Sequence, residues 1–278
     1  MALRRKIWDG AIPVQVVLHE AENVGAAAAE PYYTYVRRLA YLPLLIPEAT
    51  AYFRPLLSGD RADSLAWWFE FEGVPVKWHL PVGLLYDLLT GLDPAADADD
   101  WHLPWTLVLR HDEYPARHLL RLDSETDLVD HWVNRTKEAD FLRRGTAKAV
   151  MSLSKDDSTQ MWAGVRDGDY ARFWNVASRL LPSDTTQLRH VPVRVYLPSS
   201  AAVVQAAVPA FVRAKEPQTL GTMLHAHLPE LFPSRRTCLL ARAVLHGVAV
   251  PLGAPLVDLL YEGMYTDGYL HVCIVMIA

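Results

Sequence analysis

"PVGLLYDLLTG" (81–91) is followed, after an acidic loop "DPAADADD" (93–100), by "LPWTLVLR" (103–110). The first segment reads as a helix. Pro81 suits its start, where a missing N–H removes nothing the helix needs. Leu84, Leu85, Leu88 and Leu89 make an apolar stripe, and Gly91 supplies a C-terminal stop. "WTLVLRH" (105–111) then returns as a strand. The same helix-then-strand pair recurs near the C-terminus, as "PLGAPLVDLLYEG" (251–263) followed by "YLHVCIVMI" (269–277).

The segments around each pair extend the echo. Ahead of the first lies "SLAWWFEFEGVPVKWHL" (64–80), two aromatic-rich arms about Glu72-Gly73, where Gly73 supplies the positive φ of a tight hairpin turn. Further upstream, "IPVQVVLH" (12–19) has the β-branched residues of a half-buried strand. "EPYYTYVRRLAYLPLLIPEATAYFRPLL" (30–57) is apolar but interrupted by Pro43, Pro47 and Pro55, which predicts only short helical pieces. Ahead of the second pair, "RHVPVRVYLP" (189–198) places Val191, Val193, Val195 and Leu197 on one face, the pattern of a half-buried strand, with "AAVVQAAVPAFVR" (201–213) as its hairpin partner. "QTLGTMLHAHLPELF" (218–232) reads as a helix with Thr219 at its N-cap, and "TCLLARAVLHG" (237–247) as a strand running into a glycine turn. A strand, a hairpin, a helix and a closing strand occur twice. That order predicts an α+β chain and fits the ubiquitin-like (β-grasp) plan of a sheet clasping one helix, an order that other α+β folds share.

Between the blocks the sequence turns helical. "DSETDLVDHWVNRTKEADFLRRG" opens on Ser124 as N-cap with Asp127 three residues on, a variant of the capping box. It closes on Arg143, Arg144 and Gly145, in keeping with the helix dipole and C-cap chemistry. "MSLSKDDSTQMWAGVRDGDYARFWNVASRLLP" (151–182) continues it, with Trp162, Val165, Tyr170, Phe173, Trp174 and Leu180 as core candidates, and "PSDTTQ" (182–187) is a linker.

Composition excludes several function classes. Of 278 residues 51% are hydrophobic and 21% charged, so the chain buries real cores. A net charge of −5 gives no general attraction to nucleic acid. No apolar run approaches the ~20 residues of a membrane span, and no apolar core follows the charged N-terminus as a signal peptide requires. Two cysteines, Cys238 and Cys273, lie in apolar, strand-like runs and fit a reducing compartment, which predicts a cytoplasmic protein. No nucleophile elbow, P-loop, zinc-protease or dinucleotide motif is present, and no cofactor or metal is predicted. Apolar surroundings raise a thiol's pKa, so both cysteines read as core, and a hydrolase built on either is disfavoured. His225 and His227 point roughly 200° apart on a helix and do not form a ligand pair. Glu70 and Glu72 share a predicted strand face, which polar-out alternation accounts for. Nine tryptophans are unusual for this length. They read as core and inter-module packing, or as the lining of a groove for a partner helix; Trp8 poses the same choice.

The motifs "IWDGAIP" (7–13), "EPYYTYVRRLAYLPLL" (30–45), "WWFEFEGVPVKWHLPVGLLYDLL" (67–89), "LPWTLV" (103–108), "KEADFLR" (137–143), "MWAGVRDGDYARFW" (161–174), "VPVRVY" (191–196), "TLGTML" (219–224) and "YLHVCI" (269–274) stand in one order along the chain. In these the sequence resembles the autophagy protein 5 family over essentially its whole length. The resemblance implies a short N-terminal helix (1–9), a first ubiquitin-like domain (10–112), a helix-rich domain (121–182) and a second ubiquitin-like domain (188–278). It implies a non-enzymatic scaffold, joined through one lysine to the C-terminal glycine of the ubiquitin-like autophagy protein 12 by the pathway's conjugating enzymes. It further implies binding of the N-terminal helix of autophagy protein 16, and an assembly that promotes ligase-like transfer of autophagy protein 8 to phosphatidylethanolamine at the phagophore membrane. The acceptor that begins the family's "KEAD" motif is Lys137 here. Trp8, Arg38 and Gly83 are the implied partner-helix contacts. Arg38 matches the arginine of the family's "PRVSYL", with Arg37 and Ala40 replacing its proline and serine. A non-covalent adaptor with the same folds is the alternative.

Helix geometry permits the acceptor role without selecting it. At about 100° per residue, Lys137 falls opposite Leu128 and roughly 140° from Trp132 and Leu142, the predicted buried stripe. Phe141 falls about 40° from Lys137 and is the candidate docking contact for the modifier, unless a bend tucks it inward. Arg143, Arg144 and Lys148 form a basic cluster, a candidate contact for anionic lipid headgroups or simply a solvated helix end.

Overall fold

The structure is a computed structural model that describes residues 2–25, 28–57, 66–95, 102–198, 200, 202–213 and 216–277. Its elements, in order, are α1 (Ala2–Asp9), β1 (Ala11–Leu18), β2 (Tyr32–Arg37), α2 (Ile46–Phe53), β3 (Trp68–Phe71), β4 (Val74–Pro75), α3 (Val82–Thr90) and β5 (Trp105–Arg110). Then come α4 (Glu125–Arg144), α5 (Lys148–Met151), α6 (Lys155–Asp167) and α7 (Tyr170–Ala177). The chain closes with β6 (His190–Tyr196), β7 (Val203–Pro209), β8 (Phe211–Arg213), β9 (Glu216–Pro217), α8 (Leu220–His227), β10 (Ala241–Leu245), β11 (Val248–Ala249), α9 (Leu256–Gly263) and β12 (Leu270–Met276). Two compact units divide these residues: 10–86 with 101–131, and 1–9 with 87–100 and 132–278.

In the unit that begins at Gly10, five strands form one sheet in the order β2-β1-β5-β3-β4. β1 and β5 run parallel in the middle, Val14 opposite Trp105. Their inward residues Ile12, Val14, Val16, Trp105, Leu107 and Leu109 are buried, and Tyr86 of α3 sets its ring edge-on to Trp105. The hairpin between β3 and β4 turns at Glu72 (φ 49°) and Gly73 (φ 78°), the twin positive φ values of a tight turn. Its second arm is only two residues long, because Pro75 has no N–H with which to extend the ladder. Glu72 therefore occupies the turn and shares no strand face with Glu70, which pairs with Arg110 at 2.7 Å. The prolines of 30–57 predict only helical pieces, yet residues 32–37 form a strand. The first interrupting proline lies downstream of them, and the alternating Tyr32, Thr34 and Val36 are free to pair antiparallel with β1.

The second unit repeats the sheet with later strands, in the order β7-β6-β12-β10-β11. β6 and β12 are the parallel central pair. Strand for strand and helix for helix, β6-β7-α8-β10-β11-α9-β12 follows the succession β1-β2-α2-β3-β4-α3-β5, with β8 and β9 added after β7. Even the turn chemistry recurs: His246 (φ 54°) and Gly247 (φ 77°) join β10 to β11. Two β-grasp folds thus flank a helical region in the sequence.

Several boundaries shift for identifiable reasons. α8 is capped by Thr219, whose Oγ1 accepts from the Thr222 N–H at 3.2 Å, but it ends at His227 because Leu228 precedes Pro229 and leaves the helical region. β10 starts at Ala241, which leaves Cys238 in an irregular, partly exposed segment. β6 is buried on both faces instead of one; Arg194, on the face expected to be wet, is itself buried. Tyr170 is only half-buried, unlike the other core candidates of the helical region.

Candidate functional site

α4 carries the site, and its ends are as its sequence predicts. The Ser124 N–H donates to Asp127 Oδ2 at 2.7 Å and the Asp127 N–H returns to Ser124 Oγ at 3.3 Å. Two donors that a helix start leaves unpaired are satisfied in this exchange. The Gly145 N–H closes the other end on the Phe141 carbonyl at 2.7 Å, with Gly145 at φ 78°. The buried stripe runs through Leu128, Trp132, Thr136, Ala139, Asp140 and Arg143. Leu142, expected in it, is only half-buried. Spacings of three and four make that stripe, and the largely polar pattern of α4 hides it from a search for apolar residues alone.

Lys137 lies off this stripe and is partly exposed, one turn before Phe141, which is 55% exposed. The outward pairing of these two agrees with the helix geometry. The next residue, Glu138, fixes the helix beneath them. Its carboxylate accepts from Arg135 at 3.0 Å, from Arg194 of β6 at 3.1 Å and from Gln205 of β7 at 2.8 Å. Desolvation pushes this carboxyl upward, but the Gln205 hydrogen bond and the charges of Arg194 and Arg135 outweigh it and hold the group below the usual range. Arg194 also lies over the Tyr269 ring, 4.4 Å from its centroid. Deeper in, Tyr196 Oη lies 2.8 Å from His271 Nδ1, and His271 Nε2 lies 2.8 Å from Asp267 Oδ2. An unbroken set of polar contacts thus ties the segment carrying Lys137 to the sheet. The sequence held one signal of it: Arg194 stands among valines in "VPVRVY", and a charge in a buried strand needs a partner.

The three basic residues expected to act together have different environments. Arg143 is 3% exposed and presents no solvated charge at the protein surface. Its guanidinium donates to the carbonyls of Leu180 (3.3 Å) and Gly268 (2.9 Å), and burial, with the charge of Arg144 adding to it, lowers its pKa to about 10. Arg144 is half-buried. Its Nε lies 3.1 Å from Asp140, and its Nη2 donates to the Leu180 carbonyl at 2.5 Å. Lys148, at the start of α5, is exposed.

Trp8, expected at a partner-helix contact, is 3% exposed. Its Nε1–H donates to the Gly168 carbonyl at 3.0 Å, and its ring lies 5.1 Å from Phe173 and 5.8 Å from Tyr170. Arg4 completes the anchoring of α1. It sits over Trp174 at 4.3 Å and donates Nε–H to the Tyr261 carbonyl at 2.9 Å. Trp8 is therefore the packing anchor of α1, not an open docking face. The same holds for Trp67, Trp68, Trp78, Trp105, Trp132, Trp162 and Trp174, all buried, which favours core over groove lining. Trp101 and the end of the acidic loop (96–100) lie outside the described residues. Arg38 and Gly83, by contrast, meet. The Gly83 N–H donates to the Arg38 carbonyl at 2.7 Å, and Arg38 Nη2 donates to the Gly83 carbonyl at 3.1 Å. A Cβ at position 83 would come within 2.7 Å of Arg38 Cβ, so glycine is required for this approach.

The remaining candidates have the following surroundings. Burial, with the Asp87 charge adding to it, pushes the Cys273 thiol up to about 12. Burial also raises Cys238, against the charge of nearby Arg242. His225 Nδ1 lies 2.8 Å from the Phe232 carbonyl. Among the described residues no cluster has the donors to hold a metal ion, and no helix is long and apolar enough to cross a membrane.

Known proteins match the chain along its length. Sequence models described as "Autophagy protein ATG5, UblA domain", "alpha-helical bundle region" and "UblB domain" match residues 7–111, 125–183 and 190–274. Autophagy protein 5 of Aspergillus terreus is 40% identical over 304 residues, covering 99% of this chain and 96% of that protein. The protein of the same name from Phaeosphaeria nodorum is 42% identical over 300 residues, covering 99% and 96%. The crystal structure of Kluyveromyces marxianus Atg5 superposes with a TM-score of 0.80 at 26% identity, covering 98% of each chain.

Proposed function

The chain belongs to the autophagy protein 5 family, and from that premise we propose that it is a non-catalytic scaffold of autophagy whose Lys137 amine is the acceptor for the ubiquitin-like autophagy protein 12. The observation that carries this reading is the placement of Lys137. It stands partly exposed beside the exposed Phe141, on a helix segment clamped through Glu138 to Arg194 and Gln205. An acceptor amine has to reach an acyl carbon carried by another protein, and a fixed helix presenting it outward lowers the orientational cost of that encounter. In the reaction the Lys137 nitrogen attacks the activated carbonyl carbon of the modifier's C-terminal glycine. The new C–N bond replaces the bond to the activating group, which leaves with the electron pair, and the amine gives up a proton. Phe141 offers apolar area for the modifier to cover.

The conjugate binds the N-terminal helix of autophagy protein 16, with Arg38 and Gly83 among the contacts, and promotes transfer of autophagy protein 8 to phosphatidylethanolamine. It is cytoplasmic and recruited peripherally to the phagophore membrane, with the exposed Lys148 as a basic contact. Co-expression with the modifier and its conjugating enzymes, read by intact mass, tests the core of this. One adduct is expected, absent in Lys137→Arg. An adduct that persists in Lys137→Arg overturns the acceptor assignment. An unmodified wild-type mass throughout autophagy induction leaves a purely non-covalent adaptor.

A further inference from the structure

A cavity of about 230 Å³ opens at the C-terminal end of α4. That is several times the ~30 Å³ share of one water and below the roughly 300–1,000 Å³ of drug-sized sites, so it suits a compact ligand. Its wall holds four arginines, Arg143, Arg144, Arg179 and Arg189, together with Gln187. Two of them have carboxylate partners: Arg144 lies 3.1 Å from Asp140 and Arg179 lies 2.5 Å from Asp157. Arg143 directs Nη1 and Nη2 to neutral acceptors, the Leu180 and Gly268 carbonyls and Met264 Sδ, and its Nε–H has no partner among the described residues. Arg189 is exposed and has no ion pair among the described residues. Asp184, in the turn that leads to Gln187, directs its carboxylate to the Thr186 N–H and hydroxyl. Four guanidiniums stand against the two carboxylates paired with them and that of Asp184 nearby, which leaves the lining of this small recess net positive.

We propose that this recess binds a phosphate monoester. A carboxylate brings one charge and two oxygens. A phosphate monoester brings about −1.5 to −2 charges and three terminal oxygens, which suits a net positive lining and gives several guanidinium forks an acceptor at once. The buried Arg143 supports the assignment. Its charge is held in the wall with no carboxylate hydrogen-bonded to it, an arrangement that a bound dianion would relieve. Neither Lys137 nor Phe141 takes part, so the site stands or falls independently of the acceptor reading.

Titration calorimetry of the full chain with inositol 1,4,5-trisphosphate, with neutral inositol as reference, tests it. The trisphosphate is expected to bind, and inositol is not. The double variant Arg179→Gln/Arg189→Gln is expected to bind at least about tenfold more weakly, since it removes two charged donors from the lining. Arg117→Gln, an exposed arginine outside the lining, is the charge-matched control and is expected to bind as wild type. Flotation with phosphatidylcholine vesicles, with and without phosphatidylinositol 4,5-bisphosphate, separates the two sources of the ester. Binding of the soluble compound assigns a free phosphate ester. Binding confined to the charged vesicles, and lost in the double variant, assigns a lipid headgroup. Binding of neither, or binding that the double variant retains, overturns the proposal.

Discussion

Lys137 and Arg143 share one helix, yet burial assigns them opposite roles. Lys137 lies off the stripe that faces the protein, while Arg143 lies in it and donates to two main-chain carbonyls. Arg143→Met should therefore destabilise the fold by about 2–4 kcal/mol, because it strands two buried acceptors; urea unfolding checks this, and a loss near zero would contradict it. Lys137→Arg, by contrast, should shift stability by no more than about 0.5 kcal/mol, as expected of a surface change. The two thiols offer another residue-scale check. Cys273, buried with its pKa pushed up to about 12, should resist a thiol reagent at pH 8 in the folded protein and react fully in urea. Cys238, only partly buried, should react slowly under native conditions. Rapid native labelling of Cys273 would show the strand to be open.

At the scale of elements, close approach decides what the chain tolerates. α6 and α7 pack so closely that a Cβ at Gly164 would stand 2.6 Å from the Phe173 nitrogen. Main chain cannot yield as a flexible side chain can, so Gly164→Ala should cost about 1–3 kcal/mol, read as a lower thermal midpoint. The carboxylates that join elements set an acid limit. Asp157 is held low by Arg179 and Ser154, and Asp127 by the N–H groups of Asp123 and Ser124. Asp267, despite the upward push of burial, is held low by its interaction with His271. Glu138 behaves likewise through Gln205 and Arg194. Their folded values lie below unfolded ones near ~3.9 and ~4.3. The stability they contribute is therefore complete above that range and is lost as the pH falls through the depressed folded values. Thermal midpoints should stay level between about pH 6 and 5 and fall below about pH 4. A flat profile down to about pH 3 would contradict the carboxylate contacts.

For the whole molecule, the repeat of one strand order in two sheets explains why so much was legible. Each helix-then-strand pair carries its own start, stripe and stop, and "FEFEG" and "VLHG" both mark turns that need positive φ. Local chemistry of this kind acts over a few residues, so the sequence by itself determined the two β-grasp blocks, the helical region between them, the capping of α4 and the outward set of Lys137. Strand β2 escaped because downstream prolines masked an alternation that only pairing with β1 makes decisive. The two-sided burial of β6, the inward turn of Arg143, the anchoring of α1 by Trp8 and the gathering of four arginines about one recess were decided only by tertiary structure. In each, a polar or aromatic group meets partners far along the chain: Glu138 for Arg194, Gly268 for Arg143, Gly168 for Trp8. Desolvation forces such groups to find a partner, but the folded chain alone determines which partner is near.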